Sequence, residues 1–562
     1  MEEIIQKKDI SNEFIIKGSS PIYEPAQGGL GYEIFRSLNL NKGKTAQIFV
    51  EDGIFDSYDN LLQRCTRTAV YLKKKQLKKD DIVCLCSGNE LNSMVPFIAS
   101  TFVGTTYASI EPSMSDDDII YLLKYISPRI LFVSEQYEEK IGTCLNKSNI
   151  SCELIIFGDT EKHIRFSDLL VPSEGEKNFQ PVFVNDLYET AVIYLSSGTT
   201  GNSKGICLNH YSLLAQTFNL FHYNYRQGVY ILSNFSQKYD DREEHKFLFY
   251  APMYWLTGAM ISLGLFFSGG TRVVGSFFSG KNVWEAIKKY QPDTMFFPPI
   301  LANEICMYGM NEEANSHLKI FIIYGGSVTD ILWKTIKKCF RTAKIVQGYG
   351  QTENSGLLTS FNVGDPEDIN LIEKHPESCG RIMPTFEMKV VDIDTEKILP
   401  KGGRGELRVK DKYMMNGYYK MDSSSAFDSD GWFKTGDVVY FDEDDCLHII
   451  DRVKDIIDYA LHWIHPSTIE QILYQHPAVF ENFVFGYPHP TDNERTYAVV
   501  VLKDEYKNKV TEDELIAFVN ERVPNDWYKI RAGLTFLDKM LKTPTGKLRR
   551  LVMKQAIIDK KV

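Results

Sequence analysis

The chain predicts an α/β fold of at least two globular units, on three observations. Strand-like apolar runs alternate with helix-like patterns along most of the sequence, glycine pairs follow two of those runs, and from Gly402 the texture changes to short strands between polar turns. Size agrees: 562 residues exceed one ordinary domain, and 43% hydrophobic residues, 13% of the chain being aromatic, are enough for large cores.

Taken in order, 82–86 is a continuous apolar run and 91–102 follows it with helical spacing; 130–133 is a second run. Residues 191–195 form another strand. Residues 319–324, 329–340 and 343–347 read strand, helix, strand, the alternation that builds α/β sheets. Gly325-Gly326-Ser327 and Gly348-Tyr349-Gly350 fall just past the ends of the two strands, where such sheets hold ligands, so two glycine turns are expected to line one cleft. After Gly402 come strands at 406–409, 438–441 and 446–450, then the charge run Asp451-Arg452-Val453-Lys454-Asp455, which suits a solvated turn or a linker. Helices at 466–474 and 512–523 and strands at 479–485 and 497–502 complete a small α+β C-terminal part.

Bulk properties exclude several classes. A net charge of −11 is the wrong sign for a surface that tracks phosphate backbones, so no nucleic-acid partner is expected. Ten cysteines without paired zinc spacing read as reduced, buried thiols. His462 and His465, with Cys446 and His448 nearby, match no common zinc pattern, and the histidines are read as loop and surface residues. No apolar stretch reaches the roughly 20 residues of a membrane span. The acidic start, Met1-Glu2-Glu3, gives no leader, and Lys560-Lys561-Val562 is not a peroxisomal Ser-Lys-Leu address, so a cytoplasmic protein is expected.

The densest chemical signal is Ser196-Ser197-Gly198-Thr199-Thr200-Gly201-Asn202-Ser203-Lys204-Gly205, directly after the strand at 191–195. Glycines let backbone N–H groups converge on an anion, the hydroxyls of Ser196, Ser197, Thr199 and Thr200 donate further hydrogen bonds, and Lys204 adds a point charge. The spacing is not that of P-loop NTPases, and the apolar run Ile206-Cys207-Leu208 follows where their helix would begin, so the cradle is expected to join two strands. Three more segments follow downstream: Gln347-Gly348-Tyr349-Gly350-Gln351-Thr352-Glu353, Gly431-Trp432-Phe433-Lys434-Thr435-Gly436-Asp437 and Pro544-Thr545-Gly546-Lys547.

In order and approximate spacing these four segments resemble the adenylate-forming enzymes: acyl-CoA synthetases, 4-coumarate:CoA ligases and beetle luciferases. The resemblance covers nearly the whole chain. It implies a large N-terminal domain of layered αβ sheets, residues 1–452, and a mobile C-terminal domain, residues 453–562, joined by a hinge near Lys454-Asp455. It also implies that ATP and a small-molecule carboxylic acid, fatty or aryl, give an acyl-adenylate, with Mg2+ as cofactor and coenzyme A as second co-substrate. The loop 196–201 with Lys204 would hold polyphosphate, and Gly348, Tyr349 and Gly350 would border the adenine. Thr352 would contact phosphate and Glu353 the metal, one carboxylate sufficing because magnesium keeps several waters. Asp437 would accept the ribose hydroxyls, Arg452 would add a ribose or phosphate contact, and Lys547 would bridge the carboxylate and the α-phosphate. Loss of one such donor to developing charge costs about 10²–10³ in rate.

The acid pocket implied by the resemblance comprises Trp255, Gly325, Gly326 and Leu357. Trp255 stands where relatives often have histidine, in Ala251-Pro252-Met253-Tyr254-Trp255, and Gln216 stands about where luciferases have arginine. A second departure follows the hinge. Relatives usually read Ile-Lys-Tyr-Lys-Gly, and this chain reads Ile457-Asp458-Tyr459-Ala460-Leu461. Asp458 reverses a charge, and the Leu461 side chain occupies space a glycine leaves to a ligand, so adenylation is better supported than thioester formation. A luciferase-like adenylate former and a non-catalytic relative are the alternatives.

Overall fold

The structure is a computed structural model that describes residues 13–21, 23–25, 27–196, 203–224, 245–309, 316–326, 328–460, 462–542 and 548–560. The chain divides into two compact units. The larger comprises Lys17–Phe386 and Asp411–Ser425, and the smaller Met1–Ile16, Glu387–Lys410 and Ala426–Val562.

The larger unit has two mainly parallel sheets. The first has seven strands in the order Lys204–Asn209, Thr190–Ser196, Thr106–Ser109, Ile82–Cys86, Ile130–Ser134, Glu153–Phe157, Ile164–Arg165. All its pairs are parallel except the first, where Lys204–Asn209 runs back along Thr190–Ser196. The interior strands are buried along their whole length, as expected where helices cover both faces of a parallel sheet. The second sheet has nine strands, parallel from Lys344–Gln351 through Ile320–Ile323, Thr294–Phe296, Lys246–Phe249 and Thr271–Val274 to Thr45–Phe49. Antiparallel strands close both edges. Helix Leu256–Ser268 is apolar on nearly every face and correspondingly buried.

The smaller unit pairs Glu387–Val391, Gly405–Lys410, Phe433–Phe441 and Leu447–Arg452 in one antiparallel sheet. A second sheet carries His462–Ile464, Ile457–Tyr459, Asn493–Leu502 and Val479–His489, with Gly533–Phe536 parallel to Asn493–Leu502. Helices Pro466–Tyr474 and Glu512–Asn520 lie on its core. The expected α/β class and the α+β C-terminal part are thus both present.

Several boundaries move for identifiable reasons. The helix expected at 91–102 runs Val95–Val103, because residues 91–94 close turns (Ser93 N–H to Glu90 O, Val95 N–H to Asn92 O) and Pro96 sits in the first helical turn. The helix expected to reach 523 ends at Asn520, short of Val523-Pro524, where a residue before proline resists the helical conformation. Gly348-Tyr349-Gly350 does not lie past a strand end. The strand continues to Gln351, leaving its parallel partner after Gln347 and pairing instead with Gly356–Ser360. His448 lies inside strand Leu447–Arg452, stacked on Tyr440 with Nε2 2.8 Å from Asp442 Oδ2, and exposed His462 begins strand His462–Ile464, so neither is a loop position, while Cys446 is a buried thiol as expected.

The compact units do not divide at 452/453. The Ser467 N–H donates to Asp451 at 3.0 Å and the Trp463 indole N–H to Asp394 at 3.2 Å, so the C-terminal segment packs into one body with the antiparallel sheet. Among the described residues no helix is long and apolar enough to cross a membrane.

Candidate active site

Of the expected site residues, Ser197, Gly198, Thr199, Thr200, Gly201, Leu461 and Lys547 lie outside the described residues, as does the Ser196 side chain. The remainder fall into two groups, one in each unit.

In the larger unit the glycine-rich loop joins two strands, as its sequence predicts. Ser196 and Lys204 are Cα partners, so antiparallel pairing holds the two ends of the loop together. Beyond the loop, Gly205 N–H donates to the Tyr125 hydroxyl at 3.4 Å and the Tyr121 hydroxyl to Ser203 O at 3.5 Å. The strand carrying Lys204 has a further partner in residues 416–419. Asn416 N–H donates to Cys207 O, Cys207 N–H to Gly417 O and Tyr419 N–H to Gly205 O, at 2.8, 3.0 and 2.7 Å.

That pairing brings Tyr418 under Lys204, whose Nζ lies 4.9 Å from the ring centroid. The Tyr418 hydroxyl donates to Glu353 Oε1 at 3.3 Å. Burial and the neighbouring Glu353 charge push the phenol well above its ordinary range, so it stays a donor at neutral pH. Sequence reasoning missed Tyr418: Asn416-Gly417-Tyr418-Tyr419 reads as a turn, and its partners are far away in the chain. Only the glycine followed by two aromatics marks it.

Glu353 occupies the short turn Thr352–Asn354 between strands Lys344–Gln351 and Gly356–Ser360. Its carbonyl accepts from Met415 N–H at 2.8 Å, and the Thr352 carbonyl from Ser355 N–H at 2.9 Å, so the backbone under the carboxylate is tied on both sides. Both Thr352 and Glu353 are half-buried. Close approach explains the two glycines before them. A methyl on Gly348 would meet the Thr359 carbonyl oxygen at 2.7 Å and the Tyr324 ring at 2.8 Å, and one on Gly350 the Gly356 carbonyl oxygen at 2.1 Å. Tyr349 between them is only 8% exposed, its hydroxyl accepting from Gln351 Nε2 at 3.1 Å.

The expected pocket residues are partly gathered. Trp255 and Tyr324 pack on one apolar cluster with Phe249, Ala251 and Ile322, and Gly325 follows Tyr324 directly. A methyl on Gly326 would touch Pro299 at 3.4 Å. Leu357 is the Cα partner of Gly350. Gln216 is buried and donates to Asn354 O at 3.3 Å, within one residue of Glu353.

In the smaller unit Asp437 and Arg452 are Cα partners on adjacent strands, with Arg452 Nε 3.1 Å from Asp437 Oδ1. Asp437 is 3% exposed and its N–H donates to the Thr435 hydroxyl at 3.2 Å. The turn Val453–Asp455 follows. Burial lowers the Lys454 ammonium, with Asp455 opposing and Arg452 assisting, so this lysine gives up its proton more readily than a solvated one. Asp458 accepts from Asn493 Nδ2 at 3.2 Å, and its N–H donates to Glu494 Oε2 at 3.2 Å.

The larger unit's group suits a magnesium-bound polyphosphate: a lysine, a hydroxyl and one half-buried carboxylate with hard oxygens, in one neighbourhood. Comparison with known proteins identifies the family. The AMP-binding enzyme family model matches residues 34–419, and the AMP-binding enzyme C-terminal domain model residues 468–547. Luciferin 4-monooxygenase of Photuris pensylvanica is 28% identical over 556 residues, 96% of this chain and 97% of that protein. The 4-coumarate–CoA ligase-like 9 protein of Arabidopsis thaliana is 29% identical over 510 residues, 90% of this chain and 85% of that one. The structure of the luciferase-like enzyme from the nonluminescent mealworm Zophobas morio superposes with a TM-score of 0.71 at 33% identity, covering 79% of this chain and all of that one. With its motifs in this order, its two-unit architecture and family models matched in both parts, the chain belongs to the AMP-binding enzyme family, the adenylate-forming enzymes.

Proposed function

We propose that the protein uses ATP to activate a fatty or aryl carboxylic acid and then passes the acyl group to coenzyme A. The observation that supports this reading is that Lys204 and Glu353 both approach Tyr418, so that a cation suited to phosphate and a carboxylate suited to a metal share one neighbourhood.

In the first step a carboxylate oxygen bonds to the α-phosphorus, the bond from that phosphorus to the bridging oxygen breaks, and pyrophosphate leaves. Negative charge accumulates on phosphoryl oxygens, so preorganised donors and cations contribute most to the rate. Lys204 and the loop 196–201 hold the β- and γ-phosphates, Thr352 donates to phosphate, and Lys547 bridges the two reacting anions. Magnesium, when bound, supplies positive charge to the polyphosphate, and Glu353 is the residue that would hold it. Tyr349 borders the adenine, while Asp437, oriented by Arg452, accepts the ribose hydroxyls. Trp255, Gly325, Gly326 and Leu357 line the acid pocket. In the second step the thiol sulfur bonds to the acyl carbon, AMP leaves with the mixed-anhydride oxygen, and the thiol proton passes to solvent. The turn Val453–Asp455 serves as hinge between residues 1–452 and 453–562, and rotation about it breaks the contacts of Ser467 with Asp451 and of Trp463 with Asp394.

The CoA ligase-like relative supports the second step. Asp458 and Leu461 favour a second reading, an adenylate former that hands its product to another acceptor, in line with the luciferin 4-monooxygenase relative. The test is exchange of labelled pyrophosphate into ATP across a panel of fatty and aryl acids, followed by thioester formation with and without coenzyme A. Exchange with thioester supports the ligase, exchange alone the second reading, and no exchange with any acid overturns both.

A further inference from the structure

The side chains of Lys204 and Glu353 lie far apart in sequence, and Tyr418 touches both. Its backbone is held independently of its side chain: Tyr418 N–H donates to the Ser423 hydroxyl at 2.7 Å, and the residue bridges to Ile206 across the segment 416–419. The ring and hydroxyl are therefore not what fixes the local fold. What they do touch is the ammonium of the phosphate-binding segment, 4.9 Å above the ring, and one oxygen of the candidate metal carboxylate, 3.3 Å from the hydroxyl.

We propose that Tyr418 is a positioning residue for adenylation, with its ring steadying Lys204 and its hydroxyl engaging Glu353 Oε1 so that the carboxylate presents its other oxygen to a magnesium ion. This rests on the adenylation reading. A carboxylate can bind a cation through either oxygen or through both; a phenol on one of them removes most of that freedom before the metal arrives. The ring face likewise attracts an ammonium and limits the rotamers of a long lysine side chain. The two halves of the residue thus serve two ligands, the hydroxyl the metal and the ring the phosphate.

The test separates them. Tyr418→Phe keeps the ring and removes the hydroxyl, and is expected to raise the magnesium concentration for half-maximal ATP–pyrophosphate exchange about threefold to tenfold, the net contribution of one ordinary hydrogen bond. Its KM for ATP at saturating magnesium should stay near wild type, and its melting temperature should not fall. Tyr418→Leu should in addition raise the KM for ATP. In a Glu353→Gln background Tyr418→Phe should have no further effect on the magnesium requirement, because the partner of the hydroxyl is already altered. A magnesium requirement raised less than threefold by Tyr418→Phe, or raised equally with and without Glu353→Gln, overturns the proposal. Calorimetric titration of the wild-type and Tyr418→Phe chains with ATP and magnesium needs no acid substrate. It therefore decides the role of Tyr418 even if no acid supports exchange and the adenylation reading fails.

Discussion

A single methyl group added at Gly350 should disable adenylation without altering any side chain of the site. The methyl would stand 2.1 Å from the Gly356 carbonyl oxygen, 2.8 Å from its carbon and 2.8 Å from Leu357 Cα. All three are backbone atoms of the partner strand, so no rotamer change relieves the overlap, and strands Lys344–Gln351 and Gly356–Ser360 must part by about 1 Å to restore van der Waals separation. Thr352 and Glu353 lie in the turn that joins these strands and move with them. A displacement of about 1 Å at a reacting centre costs on the order of 10² in rate, while overpacking of this kind costs about 1–3 kcal/mol of stability. Gly350→Ala should therefore fold, melt a few degrees lower, and lose about a hundredfold in ATP–pyrophosphate exchange with an acid identified by the panel. Gly142→Ala is the control, since its methyl meets nothing within 4 Å in helix Glu138–Ser148; it should leave exchange unchanged and stabilise the helix by about 0.5–1 kcal/mol. A folded Gly350→Ala protein that exchanges within threefold of wild type would refute the claim that strand register positions Glu353.

Two further outcomes are expected. Burial pushes the Asp411 carboxyl up to about 7, against hydrogen bonds from Lys412 N–H at 2.5 Å and the Thr385 hydroxyl at 3.3 Å. Its folded pKa lies above the ordinary 3.8, so its stabilising contribution is complete below about 4 and is lost as pH rises through 7. Asp411→Asn lacks that loss, and its melting temperature relative to wild type should climb between pH 5 and pH 8; parallel melting profiles would contradict the assignment. Asp458→Lys with Leu461→Gly should raise the coenzyme A-dependent rate about tenfold, the effect of 1.4 kcal/mol in that transition state, and leave pyrophosphate exchange unchanged. Fast thioester formation by the native chain, unimproved by the double substitution, would remove the adenylate-only reading.

Local pattern was legible wherever the physics is local. The loop before Lys204 declared itself as a strand-to-strand cradle because the apolar run Ile206-Cys207-Leu208 left no room for a helix, and Lys204–Asn209 is indeed a strand. Pro466–Tyr474 was readable to the residue from its proline start and helical spacing. What escaped was pairing at a distance. Nothing in Gly348-Tyr349-Gly350 announces that its strand outlasts the parallel sheet and turns to Gly356–Ser360. Nor does Asn416-Gly417-Tyr418-Tyr419 disclose that it will lie along Lys204–Asn209, which is what carries Tyr418 to both Lys204 and Glu353. Compactness was hidden for the same reason, because the contacts of Ser467 with Asp451 and of Trp463 with Asp394 are made only on folding.

Backbone pairing is also what orients the charged groups in each unit. Asp437 meets Arg452 because they are Cα partners on neighbouring strands, and the Glu353 backbone is tied through Met415 to the segment that carries Tyr418. Charge placed this way needs little reorganisation when a phosphate arrives, which is the condition under which electrostatic stabilisation contributes most to rate. The arrangement separates two kinds of damage. Gly350→Ala shifts the frame and should depress the chemistry at every magnesium concentration, because the carboxylate itself is displaced. Tyr418→Phe leaves the frame intact and should be compensated by more magnesium, because the carboxylate is only less well aimed. If both variants respond alike to added magnesium, frame and side chain are not separable here, and the preorganisation ascribed to strand register belongs instead to the ligand.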